Sequence, residues 1–327
     1  MKLSITHRTA VLALALPMIV SMAMAQDKFP SRPIKIVVGS EAGSAPDLLA
    51  RVVANDMGPL LGQSIIIENR SGAAGTIGAA AVTTANADGY TLLMGTVSNI
   101  ALAPSFYPVK YDPNKSFTPI GMVASVPLVL VTTPSLGIQN FAQLQAKAKK
   151  MGPSGQFAYS SPGVGGPQHL AGVLLQRQLD LQLLHVPYKS GGAAMTAVAA
   201  GEVQLAFAGI PAAASLAQGK KLVPLFVSAA ERSPAMADVP SATEAGLPGF
   251  DIDNWHALFA PAGLAPATQA VLETALAKAL TMQAVKDQFN KAGAEPAPGT
   301  SRELGAMVAS ETARWTKVVI DNKLKAE

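Results

Sequence analysis

Short β-branched runs alternate along the chain with longer segments whose apolar residues recur three and four positions apart. Ile34-Lys35-Ile36-Val37-Val38 reads as a strand. Residues 47–61 then place Leu48, Leu49, Val52, Val53 and Leu60 at helical spacing, and Gly62 supplies the stop. The pattern predicts strands over 65–67 and 91–94, separated by a small-residue helix over 75–84. Downstream, Asn140 caps a helix ending near 151–152, residues 157–160 form a strand and 168–178 a helix. A strand over 183–186, a helix over 193–200 ended by Gly201, and strands over 203–207 and 222–227 follow. Ser241 with Glu244, and Thr300 with Glu303, have the spacing of capping boxes. The last third reads as helices over 266–292 and 301–322. Strands alternating with helices predict an α/β fold, mainly parallel sheets with helices on both faces.

Two apolar segments, 123–132 and 251–260, read as crossings between two bodies. The expected organisation is therefore a discontinuous first lobe, 26–126 plus 253–327, with 127–252 inserted as the second. Open α/β sheets bind ligands beyond the carboxyl ends of their strands, where helix N-termini point, so two such lobes would face each other across a cleft.

The first 25 residues have the pattern of a secretory signal. Lys2 and Arg8 precede an apolar stretch over 9–20, and Ala23-Met24-Ala25 offers a small-x-small cleavage site. The stretch is shorter than the roughly 20 residues a bilayer requires, and Pro17 interrupts it. Cleavage would remove Lys2 and Arg8 and no acid, taking the formal charge from +4 to +2. No later stretch is long and apolar enough to span a membrane. The expectation is a soluble protein of the periplasm.

Composition narrows the chemistry. With 327 residues the chain is long enough for about two domains, and 49% hydrophobic against 14% charged residues excludes a disordered chain. The absence of cysteine excludes disulfides, thiolate metal sites and a cysteine nucleophile. Only 5% of residues are aromatic and there is no Lys/Arg run, which argues against nucleic-acid binding. His169, His185 and His256 are far apart and form no metal-binding pair, and no G-x-S-x-G or P-loop pattern occurs. The sequence thus predicts no catalytic residue, no metal and no cofactor. A binder is favoured over an exported hydrolase with a triad drawn from distant positions.

Two strand-to-helix loops have the composition of an anion cradle. Residues 39–47, Gly-Ser-Glu-Ala-Gly-Ser-Ala-Pro-Asp, combine backbone access with a helix start. There Ser44 and Asp47 fit a capping role and a ligand role equally well. Residues 160–169, Ser-Ser-Pro-Gly-Val-Gly-Gly-Pro-Gln-His, form the second loop. Around them lie segments that resemble a known family: Glu68-Asn69-Arg70-Ser71-Gly72-Ala73-Ala74-Gly75-Thr76-Ile77-Gly78, Asp88-Gly89-Tyr90-Thr91-Leu92-Leu93, Gln168-His169-Leu170-Ala171-Gly172, His185-Val186-Pro187-Tyr188-Lys189 and Ala260-Pro261-Ala262-Gly263. Over essentially the whole mature chain they resemble the Bug family, extracytoplasmic solute receptors of tripartite tricarboxylate transporters.

The resemblance implies a two-lobed, type II Venus-flytrap periplasmic-binding fold that holds a small organic acid between facing loops. It also implies membrane permease subunits as partners, and we expect a monomer. A sensor module docking on a signalling kinase is the alternative partner. Carried over position by position, the resemblance assigns Ser40, Gly43, Ser44 and Asp47 in the first loop and Ser161, Gly163, Val164 and Gly165 in the second, with His169 behind. It adds Ser98 in a third loop, Ala208 and Gly209 where many members carry an acid, and Tyr188 and Trp255 near the cleft. His185 is expected to end a strand and satisfy a loop carbonyl, and His256 to pack beneath the cleft. One departure bears on the ligand. The family loop usually reads Pro-Phe-Pro-x-Gly-Gly, whereas here Gly39-Ser40-Glu41-Ala42-Gly43-Ser44 puts an acid near the expected carboxylate. Two like charges about 4 Å apart cost roughly 1–4 kcal/mol. Either Glu41 faces solvent, or the ligand carries a positive or donor group beside it.

Overall fold

The computed structural model describes residues 29–152, 156–180, 182–250 and 252–325. The signal peptide expected over 1–25 lies outside them. The strands, in chain order, are β1 (Ile34–Val38), β2 (Ile65–Asn69), β3 (Thr91–Thr96), β4 (Phe117–Ser125), β5 (Leu128–Thr132), β6 (Gln156–Ser161), β7 (Gln182–Pro187), β8 (Leu205–Gly209), β9 (Val223–Val227), β10 (His256–Pro261) and β11 (Glu295–Pro296). The α-helices are α1 (Ala45–Leu61), α2 (Thr76–Thr83), α3 (Ala103–Phe106), α4 (Phe141–Met151), α5 (Pro167–Leu179), α6 (Gly191–Ala200), α7 (Ile210–Gln218), α8 (Pro266–Thr281), α9 (Gln283–Lys291) and α10 (Ser301–Asp321).

The strands form two sheets, ordered β11-β4-β10-β3-β1-β2 and β7-β6-β8-β5-β9. Both are mixed. β1 runs parallel to β2 and β3, and β6 runs parallel to β7 and β8. The antiparallel pairs are β10 with β3 and β4, β11 with β4, and β5 with β8 and β9. In the larger sheet alternate residues feed opposite cores, as the two-residue period of a strand demands. Ile34, Ile36, Val38, Leu92 and Met94 pack with residues of α1, α8 and α9, while Val37, Leu93 and Phe259 face the core that includes α2 and α10. With both faces covered, β1 is apolar except at Lys35, which reaches Glu68. Each fully buried Ile or Val contributes about 1.5–3 kcal/mol by leaving water.

The chain passes between the sheets twice, from β4 to β5 and from β9 to β10, and the two passages are tied side by side. Asn254 N–H donates to the Val126 carbonyl at 3.2 Å, and Val126 N–H donates to Asp253 Oδ1 at 2.7 Å. The buried Ser228 hydroxyl accepts from Leu128 N–H at 2.9 Å and donates to the Ile252 carbonyl at 2.7 Å. A single oxygen thereby links both passages.

The sheets are mixed rather than mainly parallel as expected, because the strands that follow the passages between sheets run back against their neighbours. The Ser241–Glu244 box forms but leads into turns. Two helical expectations also differ. The helix anticipated over 266–292 is broken at Met282, whose φ of −68° and ψ of 134° are extended. Neither Gly nor Pro marks the break. It lets Leu280 and Val285 enter one core from two helices. The segment after β3 is also helical: residues 97–102 form a wide turn that runs into α3. Thr96 and Asn99 start it with reciprocal hydrogen bonds, Asn99 N–H to Thr96 Oγ1 at 3.2 Å and Thr96 N–H to Asn99 Oδ1 at 2.8 Å.

Candidate functional site

A cavity of about 450 Å³ opens where loops from both sheets meet. That is within the range of small-ligand pockets, roughly 300–1,000 Å³. The larger sheet supplies residues 39–41 after β1, residues 71–75 after β2, and Thr96, Ser98 and Asn99 after β3. The smaller sheet supplies residues 162–166 after β6. Asn254 and His256 lie at the base of the second passage. The walls include Pro46 in the first turn of α1 and the N-cap glycines of α2 and α5, Gly75 and Gly166. None of these three helices has a side-chain cap bond from its N-cap residue. The starts of three helices, and with them the positive ends of their dipoles, therefore border one space.

The placement of the first loop follows from glycine. A Cβ on Gly39 would lie 2.7 Å from the Gly75 carbonyl oxygen and 2.9 Å from its Cα. Only two glycines let these backbones approach so closely, and Gly75 itself adopts a φ of +86° that an L-residue adopts rarely. The Gly-rich run after β2 is thus the seat on which the first loop rests.

Asp47 is spent within the same corner. Its buried carboxylate accepts from the Gly43 amide at 2.8 Å, from Arg51 Nε and Nη2 at 3.0 and 2.9 Å, and from Asn69 Nδ2 at 2.9 Å. Burial alone would raise its pKa. The hydrogen bonds from Arg51, Gly43 and Asn69 outweigh that and hold it below the usual carboxylate range. Asp47 therefore braces the loop from behind. Ser44 is occupied too, its hydroxyl 2.6 Å from that of Ser40.

The second loop is braced by a serine and two histidines. The buried Ser161 hydroxyl accepts from Gly163 N–H at 3.1 Å and lies 2.9 Å from the Gly163 carbonyl and 2.7 Å from His185 Nε2. His185 thus holds a serine hydroxyl and not the loop carbonyl that its position suggested. His169 Nδ1 accepts from Gly165 N–H at 3.2 Å, which requires that nitrogen to be unprotonated. The two imidazole rings lie 4.2 Å apart between centroids, tilted by 32°. Burial, with repulsion from His185 second, lowers the His169 pKa to about 4; burial also lowers that of His185. Gly165 leans towards Phe106 of α3, so the loops of the two sheets come into contact across the cavity.

Of the residues anticipated from sequence, the structure brings Ser40, Ser98, Gly163, Val164 and Gly165 together as cavity walls. Gly43, Ser44, Asp47, Ser161 and His169 stand one layer behind, holding the two loops. Ala208 is buried in the smaller sheet, Gly209 ends β8, and Tyr188 packs against the core on that sheet's outer face; none of the three reaches the cavity. Trp255 and His256 exchange the places expected of them. Consecutive residues of an extended chain face opposite ways. Trp255 lines a separate cavity of about 260 Å³ behind the passage, whereas the buried His256 lines the main one. Burial lowers the pKa of His256 to about 4, against the smaller opposing effect of a backbone hydrogen bond with Asn254. Glu41 both lines the cavity and keeps a solvent-exposed side chain, so it sits at the mouth. Sequence reasoning missed the wall residues Ser71, Gly72, Ala74, Gly75, Thr96, Asn99 and Asn254. The close glycine spacing after β2 is the signal that could have found the first four.

Known proteins share this architecture. The sequence profile of the tripartite tricarboxylate transporter family receptor matches residues 49–324. Protein BugT of Bordetella pertussis is 32% identical over 311 residues, covering 94% of each chain. The solved structure of Rhodopseudomonas palustris Rpa4515 with adipate superposes with a TM-score of 0.77 at 32% identity, over 91% of this chain and all of that one. MatC from the same species, with bound malate, gives 0.72 at 31%, over 89% of this chain and all of that one. Among the described residues no helix is long and apolar enough to cross a membrane, and no cluster of side chains could hold a metal ion.

Proposed function

The chain belongs to the tripartite tricarboxylate transporter family of receptors, and from that premise we propose that it captures a small organic carboxylate in the cavity between its two sheets. The observation that carries this reading is the meeting of backbone-rich loops from both sheets at three helix starts. A carboxylate leaving water needs several donors, and main-chain N–H groups at helix starts supply them already oriented. The assignments of Ser40, Ser98, Gly163, Val164 and Gly165 as ligand contacts are part of the proposal. The lobes would be 26–126 plus 253–327 and 127–252, hinged at the passages that Ser228 ties together. A ligand bound by both lobes favours closure by the difference in contacts between the closed and open states.

We place the mature protein in the periplasm after removal of residues 1–25, as a monomer that hands its ligand to membrane permease subunits. Adipate in Rpa4515 and malate in MatC support the choice of ligand class. The hydrolase reading loses ground at Ser161 and His185. They are 2.7 Å apart, but the serine hydroxyl is buried and engaged with Gly163.

The test is a thermal-shift screen of mono- and dicarboxylates followed by calorimetry on the mature chain. A ligand at 100 times its Kd should stabilise the protein by about 2.7 kcal/mol. A one-to-one complex with an acid recovered unchanged is expected. Turnover of that acid, or no response to any carboxylate, would overturn the proposal.

A further inference from the structure

We propose that Glu41 makes this cavity select carboxylates that carry an ammonium group at their far end. The inference rests on the carboxylate-receptor reading and narrows it. Among the described residues no lysine or arginine lines the cavity, and the only ionisable wall groups are Glu41 and His256. The cations near the same sheet edge are already taken. Arg51 pairs with Asp47 at 2.9 Å, Lys35 pairs with Glu68 at 2.8 Å, and Arg70 also pairs with Glu68. The Glu41 carboxylate has no hydrogen-bond or ion-pair partner among the described residues, although its loop is firmly seated.

The electrostatic inventory is therefore three positive helix ends and one free carboxylate. A dicarboxylate would find donors for one end and would bring its other end towards a like charge. A ligand with one carboxylate and one ammonium satisfies both, and closure would strengthen the ammonium–Glu41 pair by excluding water.

The test compares matched pairs by calorimetry: adipate with 6-aminohexanoate, glutarate with 5-aminopentanoate, and succinate with 4-aminobutyrate. In each pair one carboxylate gives way to an aminomethyl group. At least one amino acid should bind the wild type tenfold or more tightly than its diacid. Glu41→Gln should weaken that amino acid at least tenfold and bring the diacid to within about threefold of it. The exposed position predicts an unchanged unliganded Tm for this variant. Diacids binding as tightly as their amino partners, or a preference that persists in Glu41→Gln, would overturn the Glu41 assignment while leaving the carboxylate receptor intact. Failure of both series to bind a folded protein would overturn both readings.

Discussion

Gly39→Ala tests the claim that backbone contact seats the first loop. The new methyl carbon would lie 2.7 Å from one backbone atom of Gly75 and 2.9 Å from another. Neither can swing away as a side chain can, so the loop or the start of α2 must shift by several tenths of an ångström. Overpacking of this kind typically costs about 1–3 kcal/mol. The loss of chain entropy in the unfolded state on replacing glycine offsets roughly 0.4–1 kcal/mol of that. The net destabilisation is then about 0–2.6 kcal/mol, which for a domain of this size lowers Tm by up to about 10 °C. Scanning calorimetry measures it, with carboxylate affinity measured on the same sample. Affinity should fall as well, because the wall residues Ser40 and Glu41 move with the loop. The matched control is Gly166→Ala, whose methyl would meet nothing closer than Gln168 Oε1 at 3.6 Å. It should keep wild-type Tm yet weaken binding by projecting into the cavity. A Gly39→Ala protein as stable as wild type, with unaltered affinity, would refute the reasoning.

Asp47→Asn should cost about 1–3 kcal/mol, because the amide cannot accept from Arg51, Asn69 and the Gly43 amide together; urea unfolding measures this, and an unchanged midpoint would contradict the bracing role. Ser161→Ala leaves Gly163 N–H without its acceptor, half-buried at the cavity wall. We expect a loss of about 1–3 kcal/mol together with weaker ligand binding, both readable by calorimetry with and without ligand. For pH, His169 and His256 are held neutral, with pKa values near 4 against an ordinary 6.5. The unfolded chain therefore binds more protons than the folded one in this window. The stabilisation from the neutral rings is complete above about pH 6.5 and is lost as pH falls towards 4, on the order of 3 kcal/mol for each ring. Urea midpoints measured from pH 7 to pH 4 should decline, and His169→Gln should flatten part of that decline; a flat wild-type profile would rule the effect out.

Much of the architecture was legible because its signals are local. The run at 34–38 and the helical spacing of 47–61 correspond closely to β1 and α1, and Gly62 ends that helix in a left-handed conformation. The box at Thr300 caps α10 as its spacing suggests. That at Ser241 forms both reciprocal bonds, yet no α-helix follows. What escaped depends on distant partners. The break at Met282 serves a core built from α1 and the sheet, and its own sequence contains no punctuation. The turn over 97–102 is set by the Thr96–Asn99 pair and by Tyr111, whose hydroxyl donates to the Asn99 carbonyl. At the site, both loops were identifiable from composition. Which of their residues face the cavity was not, because that depends on a half-turn of backbone. Asp47 faces inwards to Arg51, and Trp255 and His256 trade faces by a shift of one residue.

The seat formed by Gly39 and Gly75 bears on how relatives of this protein can diverge. Main-chain contact at Gly39 and Gly75, with Asp47 behind the loop, fixes where it lies, so Glu41 and Ala42, which take no part in that bracing, can be exchanged without dislodging it. Mutations that alter taste for a nutrient are thereby separated from those that threaten the scaffold. A bacterium carrying duplicated copies could retune each towards a different metabolite by a handful of substitutions at the rim.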